Sequence, residues 1–184
     1  MQHSTIVRPE QSQDFADINE VTRLAFGQEA EARLVRELRA CSGFDPLLSL
    51  VAVRDHELLG HILFTPVEIQ RDGAAPLAAL ALAPLSVLPQ HQRAGVGSLL
   101  VRKGLTACRR RSERLVIVVG HPDYYPRFGF RPARPLGLEV PFAVPDEAFL
   151  VCDLARDSAA GNVPELAPDF VVGLVQYPPP FLLV

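Results

Sequence analysis

Cysteine is scarce. The 184 residues hold three, Cys41, Cys108 and Cys152, with no CxxC and no close His/Cys pair. An odd number of widely spaced thiols argues against a disulfide framework or a zinc site and fits a reducing compartment. Each stands among apolar residues, so all three read as small core fillers. Positive charge is not in excess either. The net charge is −3 and the pI about 5.9, so the overall basic field that nucleic acid demands is missing. No apolar run reaches the roughly 18 residues needed to span a bilayer. The opening Met1-Gln2-His3-Ser4 lacks a basic-then-apolar signal pattern. The expectation is a cytoplasmic protein with neither nucleic acid nor membrane as partner. Internal repeats, low-complexity tracts and linkers are absent too, so residues 1–184 read as one domain.

What is present is an ordinary globular composition, 48% hydrophobic and 21% charged, with 17 prolines that cluster after residue 120. The Pro-rich part, from about 132 to 184, should be full of turns and edge strands. Along the chain, Ser4–Arg8 reads as a short strand. Ile18, Val21 and Ala25 recur at helical spacing behind Asp14, which is placed to cap. Leu34, Leu38 and Cys41 mark a second helix that Gly43 stops. Leu47–Val53 and Leu58–Ile69 read as strands, and Asp72-Gly73 as a hairpin turn. Leu77–Leu88 is the next strand, with Pro84 inside it as a bulge or an unpaired stretch. Gly95–Arg111 is a helix with Val101, Leu105 and Cys108 on one stripe. Leu115–Val119, Phe149–Leu154 and Phe170–Val175 complete the strands, and Ala155–Asp169 reads as a loop. This order implies an α/β fold with a mixed sheet and helices on both faces.

The most informative stretch runs from Leu85 to Leu100: an apolar strand, a loop with Gly95 and Gly97, then a helix. Such a junction is an anion site. Loop amides converge, and the helix N-terminus adds about half a positive charge. Glycine lets phosphate oxygens approach the backbone with no Cβ in the way. A bare GxG fits a helix start with incidental glycines equally well.

The surroundings decide between these readings. Gln92-x-x-Gly95-x-Gly97 after Leu-x-Val-x-Pro resembles the acetyl-CoA signature of the GNAT N-acetyltransferases. Tyr125-Pro126-Arg127-Phe128-Gly129-Phe130 resembles that family's Tyr-x-x-x-Gly-Phe element. Gly120–Phe130 as a whole, Phe26 with Glu29–Val35, Pro84-Leu85 and Gly173–Phe181 are similar to the YhbS-like branch. The likeness covers roughly residues 5–181. It implies a GNAT fold: a central, largely antiparallel twisted sheet of about seven strands, splayed in the middle and flanked by about four helices.

The resemblance also implies roles. The backbone of Leu85, Ser86 and Val87 would pair with the pantetheine arm of acetyl-CoA. The amides of Arg93, Ala94, Gly95, Val96, Gly97 and Ser98, with Gln92 ahead of them, would cradle the pyrophosphate. There is no Walker lysine or Rossmann spacing, so ATP and NAD fit less well, and no metal is expected. Many family members carry an Asn several residues before the tyrosine; Val118, Val119 and Gly120 stand there in this chain.

Acyl transfer to an amine needs a neutral amine, a donor for the oxyanion and a proton for the leaving thiolate. A free amine has a pKa of about 10 and a thiol about 8.5. Tyr125, at the family's tyrosine position, is the candidate acid and would also contact the cofactor sulfur; Tyr124 is its adjacent alternative. The oxyanion donor would be a backbone amide such as that of Val87. For the base, Glu29 is the leading candidate, followed by Glu31, His61, His121 or a water relay. Arg109–Arg111 read as a solvated helix end.

These readings make the chain an enzyme that passes the acetyl group directly to a primary amine of a small molecule or peptide, as a monomer or homodimer. A non-catalytic acyl-CoA sensor is the alternative. Tyr177-Pro178-Pro179-Pro180-Phe181 reads as a terminal strand locked by prolines, rather than as a polyproline ligand.

Overall fold

The computed structural model describes residues 4–154 and 172–183. The expected loop Ala155–Asp169 and the first part of the expected strand Phe170–Val175 lie outside those residues. The chain forms two compact units. One comprises the chain up to Thr65, Ala83–Ala107 and the segment from Pro179 onward. The other comprises Pro66–Leu82 and the chain from Cys108 to Pro178.

In the first unit, β1 (Ile6–Pro9) pairs antiparallel with β2 (Ser49–Arg54), and β2 with β3 (Glu57–Arg71). Between β1 and β2 lie α1 (Phe15–Phe26) and α2 (Ala30–Arg39). α1 ends where Gly27 takes a left-handed φ of 71° and returns its N–H to the Arg23 carbonyl at 2.9 Å, the usual stop for a helix. The i, i+3 stripe of α1 buries Ile18 and Val21 against Val35, Val51, Leu58 and Leu88. Leu34 and Leu38 of α2 pack with Leu63, Phe44 and Phe181. Each such side chain contributes about 1.5–3 kcal/mol when fully buried.

Asp14 departs from expectation. It sits at the start of α1, but its side chain does not cap the helix. It is buried, accepts from Arg8 at 2.6 and 2.9 Å, and takes the Gln11 amide at 2.7 Å. A bidentate guanidinium outcompetes a helix amide for a carboxylate.

β4 (Ala74–Val87) follows β3 through the hairpin at Asp72-Gly73, where Gly73 has φ 69°. Pro84 does not interrupt β4; the Ala83–Pro84 bond is cis. α3 (Val96–Arg110) buries Val101, Leu105 and Cys108, as its stripe predicts. Gly104 on the same face meets the Phe64 ring. A Cβ there would stand 2.6 Å from Phe64 Cζ.

In the second unit, β5 (Leu115–Val119) runs parallel to β4 and antiparallel to β8 (Phe149–Asp153). Two short strands, β6 (Arg131–Pro132) and β7 (Leu138–Glu139), pair with β8 and with β9 (Gly173–Gln176). β9 also pairs with the far half of β3. The sheet therefore has nine strands, in the order β1-β2-β3-β4-β5-β8-β6, with β9 on β3 and β7. It is mixed and largely antiparallel. The seven strands of four residues or more match the expected number, and β6 and β7 are additions of two residues each. Three α-helices stand among the described residues, with the remaining helical turns short 3-10 segments.

Candidate functional site

β4 delivers the chain to the glycine-containing turn before α3. Leu88 N–H donates to the Leu59 carbonyl at 2.9 Å. Peptide groups alternate edges along an antiparallel strand, so Ser86 also faces β3, while Leu85 and Val87 aim theirs at the opposite edge. Gly60 reflects how close Ser86 comes: a Cβ at 60 would lie 2.7 Å from the Ser86 carbonyl oxygen. The register of β4 with β5 involves Leu80 and Ala81, upstream of Leu85. The Ser86 hydroxyl is buried, 3.2 Å from Thr22 Oγ1, which donates to the Ile18 carbonyl at 2.7 Å. The side chain of Ser86 thus ties β4 to α1, and the peptide groups of Leu85 and Val87 face outward.

Pro89–His91 forms a 3-10 turn, and the loop then reverses through two left-handed residues, Arg93 (φ 60°) and Gly95 (φ 87°). Gln92, Arg93, Ala94 and Gly95 are exposed, Gly97 and Ser98 half-buried, and Val96 is buried as the anchor. A Cβ at Gly95 would meet nothing within 4 Å. Leu99 N–H donates to the Gly95 carbonyl at 3.0 Å. The amides of Val96, Gly97 and Ser98 precede that bond and have no carbonyl behind them within the helix. The helix dipole adds partial positive charge at the same place. Open space, free amides and positive potential suit a diphosphate.

Two side-chain tethers hold this loop, and the sequence pattern alone did not reveal either. Gln92 Nε2 donates to the Val87 carbonyl at 3.2 Å, so its side chain folds back onto β4. Arg54 Nη2 donates to His91 Nδ1 at 3.3 Å, and His91 Nε2 lies 3.5 Å from Glu57 Oε1. Arg54 and Glu57 flank the β2–β3 turn, where Asp55 and His56 both have positive φ. An Arg-x-x-Glu across that turn was the available signal.

Tyr125 begins a 3-10 turn, Tyr125–Phe128, that closes at Gly129 (φ 91°). The side chain is 7% exposed. Its ring meets Tyr124 edge-on at 5.0 Å and Phe130 at 5.5 Å. Burial, helped by Tyr124, pushes the phenol above its ordinary pKa, so it carries its proton at neutral pH. Tyr124 is half-buried beneath the Arg127 guanidinium, 4.8 Å away. Leu85–Ser98 belong to the first unit and Tyr125 to the second.

The base candidates divide by environment. Glu29 stands at the N-cap of α2, exposed and 3.8 Å from Arg23. Glu31 accepts from Gln28 Nε2 at 2.9 and 3.2 Å. His121 is exposed. His61 is fully buried, and its Nε2 lies 2.8 Å from Ser49 Oγ. Ser49 donates to Glu10 at 2.6 Å, and Arg39 clamps the same carboxylate at 2.7 and 3.1 Å. Burial lowers the His61 pKa, so the ring stays neutral. His61 is therefore part of a structural polar cluster, with no exposed edge to offer an acceptor.

Comparison with known proteins converges on one family. A family model described as an acetyltransferase (GNAT) domain matches residues 6–133. The N-acetyltransferase YjhQ of Escherichia coli K12 is 42% identical over 135 residues, 73% of this chain and 74% of that one. The N-acetyltransferase YhbS of the same strain is 33% identical over 173 residues, 94% of this chain and 95% of that one. The solved structure of E. coli YhbS in complex with CoA superposes with a TM-score of 0.83 at 32% identity, covering 99% of this chain and 94% of the other. A GNAT family acetyltransferase from Brucella melitensis in complex with acetyl-CoA gives 0.74 at 33% identity, covering 98% and 99%.

Proposed function

The chain belongs to the GNAT acetyltransferase family, and we propose that it moves an acetyl group from acetyl-CoA directly to a primary amine of a small molecule or peptide. One observation carries this reading: the exposed amides and open glycine between the outward-facing end of β4 and the start of α3. Arg93–Ser98 hold the pyrophosphate through their N–H groups. Leu85 and Val87 hold the pantetheine arm through theirs, and Gln92 and His91 keep the loop in place.

In the transfer itself a nitrogen–carbon bond forms and the carbon–sulfur bond breaks. The departing sulfur takes the phenol proton of Tyr125, which is buried and still carries that proton at neutral pH. Glu29 receives the amine proton, directly or through water; it stands exposed at the start of α2, open to an acceptor. The chain works as a single domain. β3 and β4 run unbroken from one compact unit into the other, which supports this. It works in the cytoplasm as a monomer or homodimer, without nucleic acid or membrane; three free thiols support a reducing location.

The test has two stages. Acetyl-CoA raises the thermal midpoint of the protein if the loop is a CoA site, and no shift overturns the reading. Free thiol release from acetyl-CoA is then followed across amines, amino acids and peptides. Tyr125→Phe lowers kcat about a hundredfold or more while the acetyl-CoA KM is kept. Binding without thiol release for any acceptor would identify a sensor instead.

A further inference from the structure

We propose that Gly120 is a positioning residue for the reaction: its bare Cα sets where the hydroxyl end of the Tyr125 ring lies. The inference rests on the reading of Tyr125 as proton donor and extends it to the residue that aims the donor.

Gly120 follows the last residue of β5. Its N–H donates to the Ala148 carbonyl at 2.9 Å, so the backbone there is held. The glycine is not required by backbone conformation. Among the described residues the glycines with positive φ are Gly27, Gly73, Gly95, Gly129 and Gly137, and Gly120 is not one of them. What requires it is space. A Cβ on residue 120 would run into Tyr125 Cε2, with Cζ at 3.3 Å and Cδ2 at 3.1 Å. Cε2 and Cζ are the ring atoms next to and bearing the hydroxyl. Carbon atoms separate by about 3.5–4.0 Å at best contact, so a methyl displaces that end of the ring by roughly an ångström. Tyr124 and Phe130 crowd the ring edge-on, and Tyr125 is almost wholly buried. The ring therefore tilts, and the oxygen moves furthest because it lies at the end of the lever.

A double-mutant comparison separates aiming from packing. Gly120→Ala and Tyr125→Phe are made singly and together, and thiol release from acetyl-CoA is measured with a mixture of amino acids and lysine-containing peptides. Misplacement of about 1 Å can cost about a hundredfold, so Gly120→Ala lowers kcat about tenfold to a hundredfold. The KM for acetyl-CoA stays within about twofold. In the Tyr125→Phe background the same substitution changes kcat by less than about twofold, because the group being aimed is gone. The loss of stability in urea is equal in both backgrounds, because the phenyl ring that meets the methyl remains.

Equal fold losses of kcat in the two backgrounds overturn the proposal, as does an unchanged kcat in Gly120→Ala alone. If Tyr125→Phe by itself leaves kcat intact, the donor role has failed and the aiming role falls with it. If Gly120→Ala does not fold, Gly120→Ala/Tyr125→Leu decides: recovery of folding identifies the ring as what the methyl meets, and continued unfolding overturns the contact.

Discussion

Cys108 and Cys152 are buried, and Cys41 is half-buried with its Sγ 3.4 Å from the Glu37 carbonyl. Burial, with Glu113 adding, pushes the Cys108 thiol up to about 12; burial pushes Cys152 up to about 11. Only a thiolate reacts quickly with a disulfide reagent. In native protein at neutral pH a thiol reagent should therefore label Cys41 alone, and all three cysteines once urea is added. Rapid labelling of two or three native thiols would contradict the burial described. Single side chains depart most from what the local sequence implies. Cys41 stands among apolar residues like a core filler, yet is only partly covered. Asp14 stands where a cap is expected but turns to Arg8, a partner that local spacing does not single out. The turn from β4 into α3 is legible because glycine, strand end and helix start coincide within a few positions. The tethers from Arg54, Glu57 and His91 were not, because they join segments that meet only after β2, β3 and β4 have paired.

At the level of elements, long periodic segments were readable and short ones were not. Ile18/Val21, Leu34/Leu38 and Val101/Leu105/Cys108 announced three helices, and apolar runs announced the long strands. β6 and β7, two residues each, exist only through their neighbours, so no local pattern could reveal them. α3 offers a case in which tertiary contact reverses a local rule. Alanine is favoured over glycine within a helix by about 1 kcal/mol. Gly104, however, lies against a Phe64 ring that is completely buried and has nowhere to retreat. Overpacking of a core costs about 1–3 kcal/mol. Gly104→Ala should accordingly lower the urea midpoint, with a net loss of up to about 2 kcal/mol and an unchanged m-value. A stabilised variant would mean that the ring yields.

Over the whole molecule, the buried cluster of Glu10, Arg39, Ser49 and His61 governs the response to acid. Burial by itself would raise the Glu10 pKa. Hydrogen bonds from His61, Arg39 and Ser49, with the Arg39 charge, outweigh it and hold the group at about 2 against an ordinary 4.5. The resulting stability, about 3 kcal/mol, is present in full above pH 4.5 and is lost as pH falls toward 2. His61 acts in the same direction and earlier. Folded, it resists a proton that the unfolded chain accepts below about 6.5. Urea midpoints should thus fall from pH 7 to pH 2, and Glu10→Gln should flatten the part of that curve below about pH 4.5. A midpoint that rises on acidification through pH 6 would show that the cluster is wired differently. Mass, charge and periodicity predicted none of this, because Glu10, Arg39, Ser49 and His61 come from four separate segments. The same discontinuity bears on how the protein is made. Phe181 completes the packing around Leu34, Leu38 and Leu63, yet it is synthesised about 150 residues after Leu34. At about 5–20 residues per second that delay is about 7–30 s. Throughout it, Leu34, Leu38 and Leu63 have Phe44 but not Phe181 to pack against, so this cluster closes only when synthesis is nearly complete.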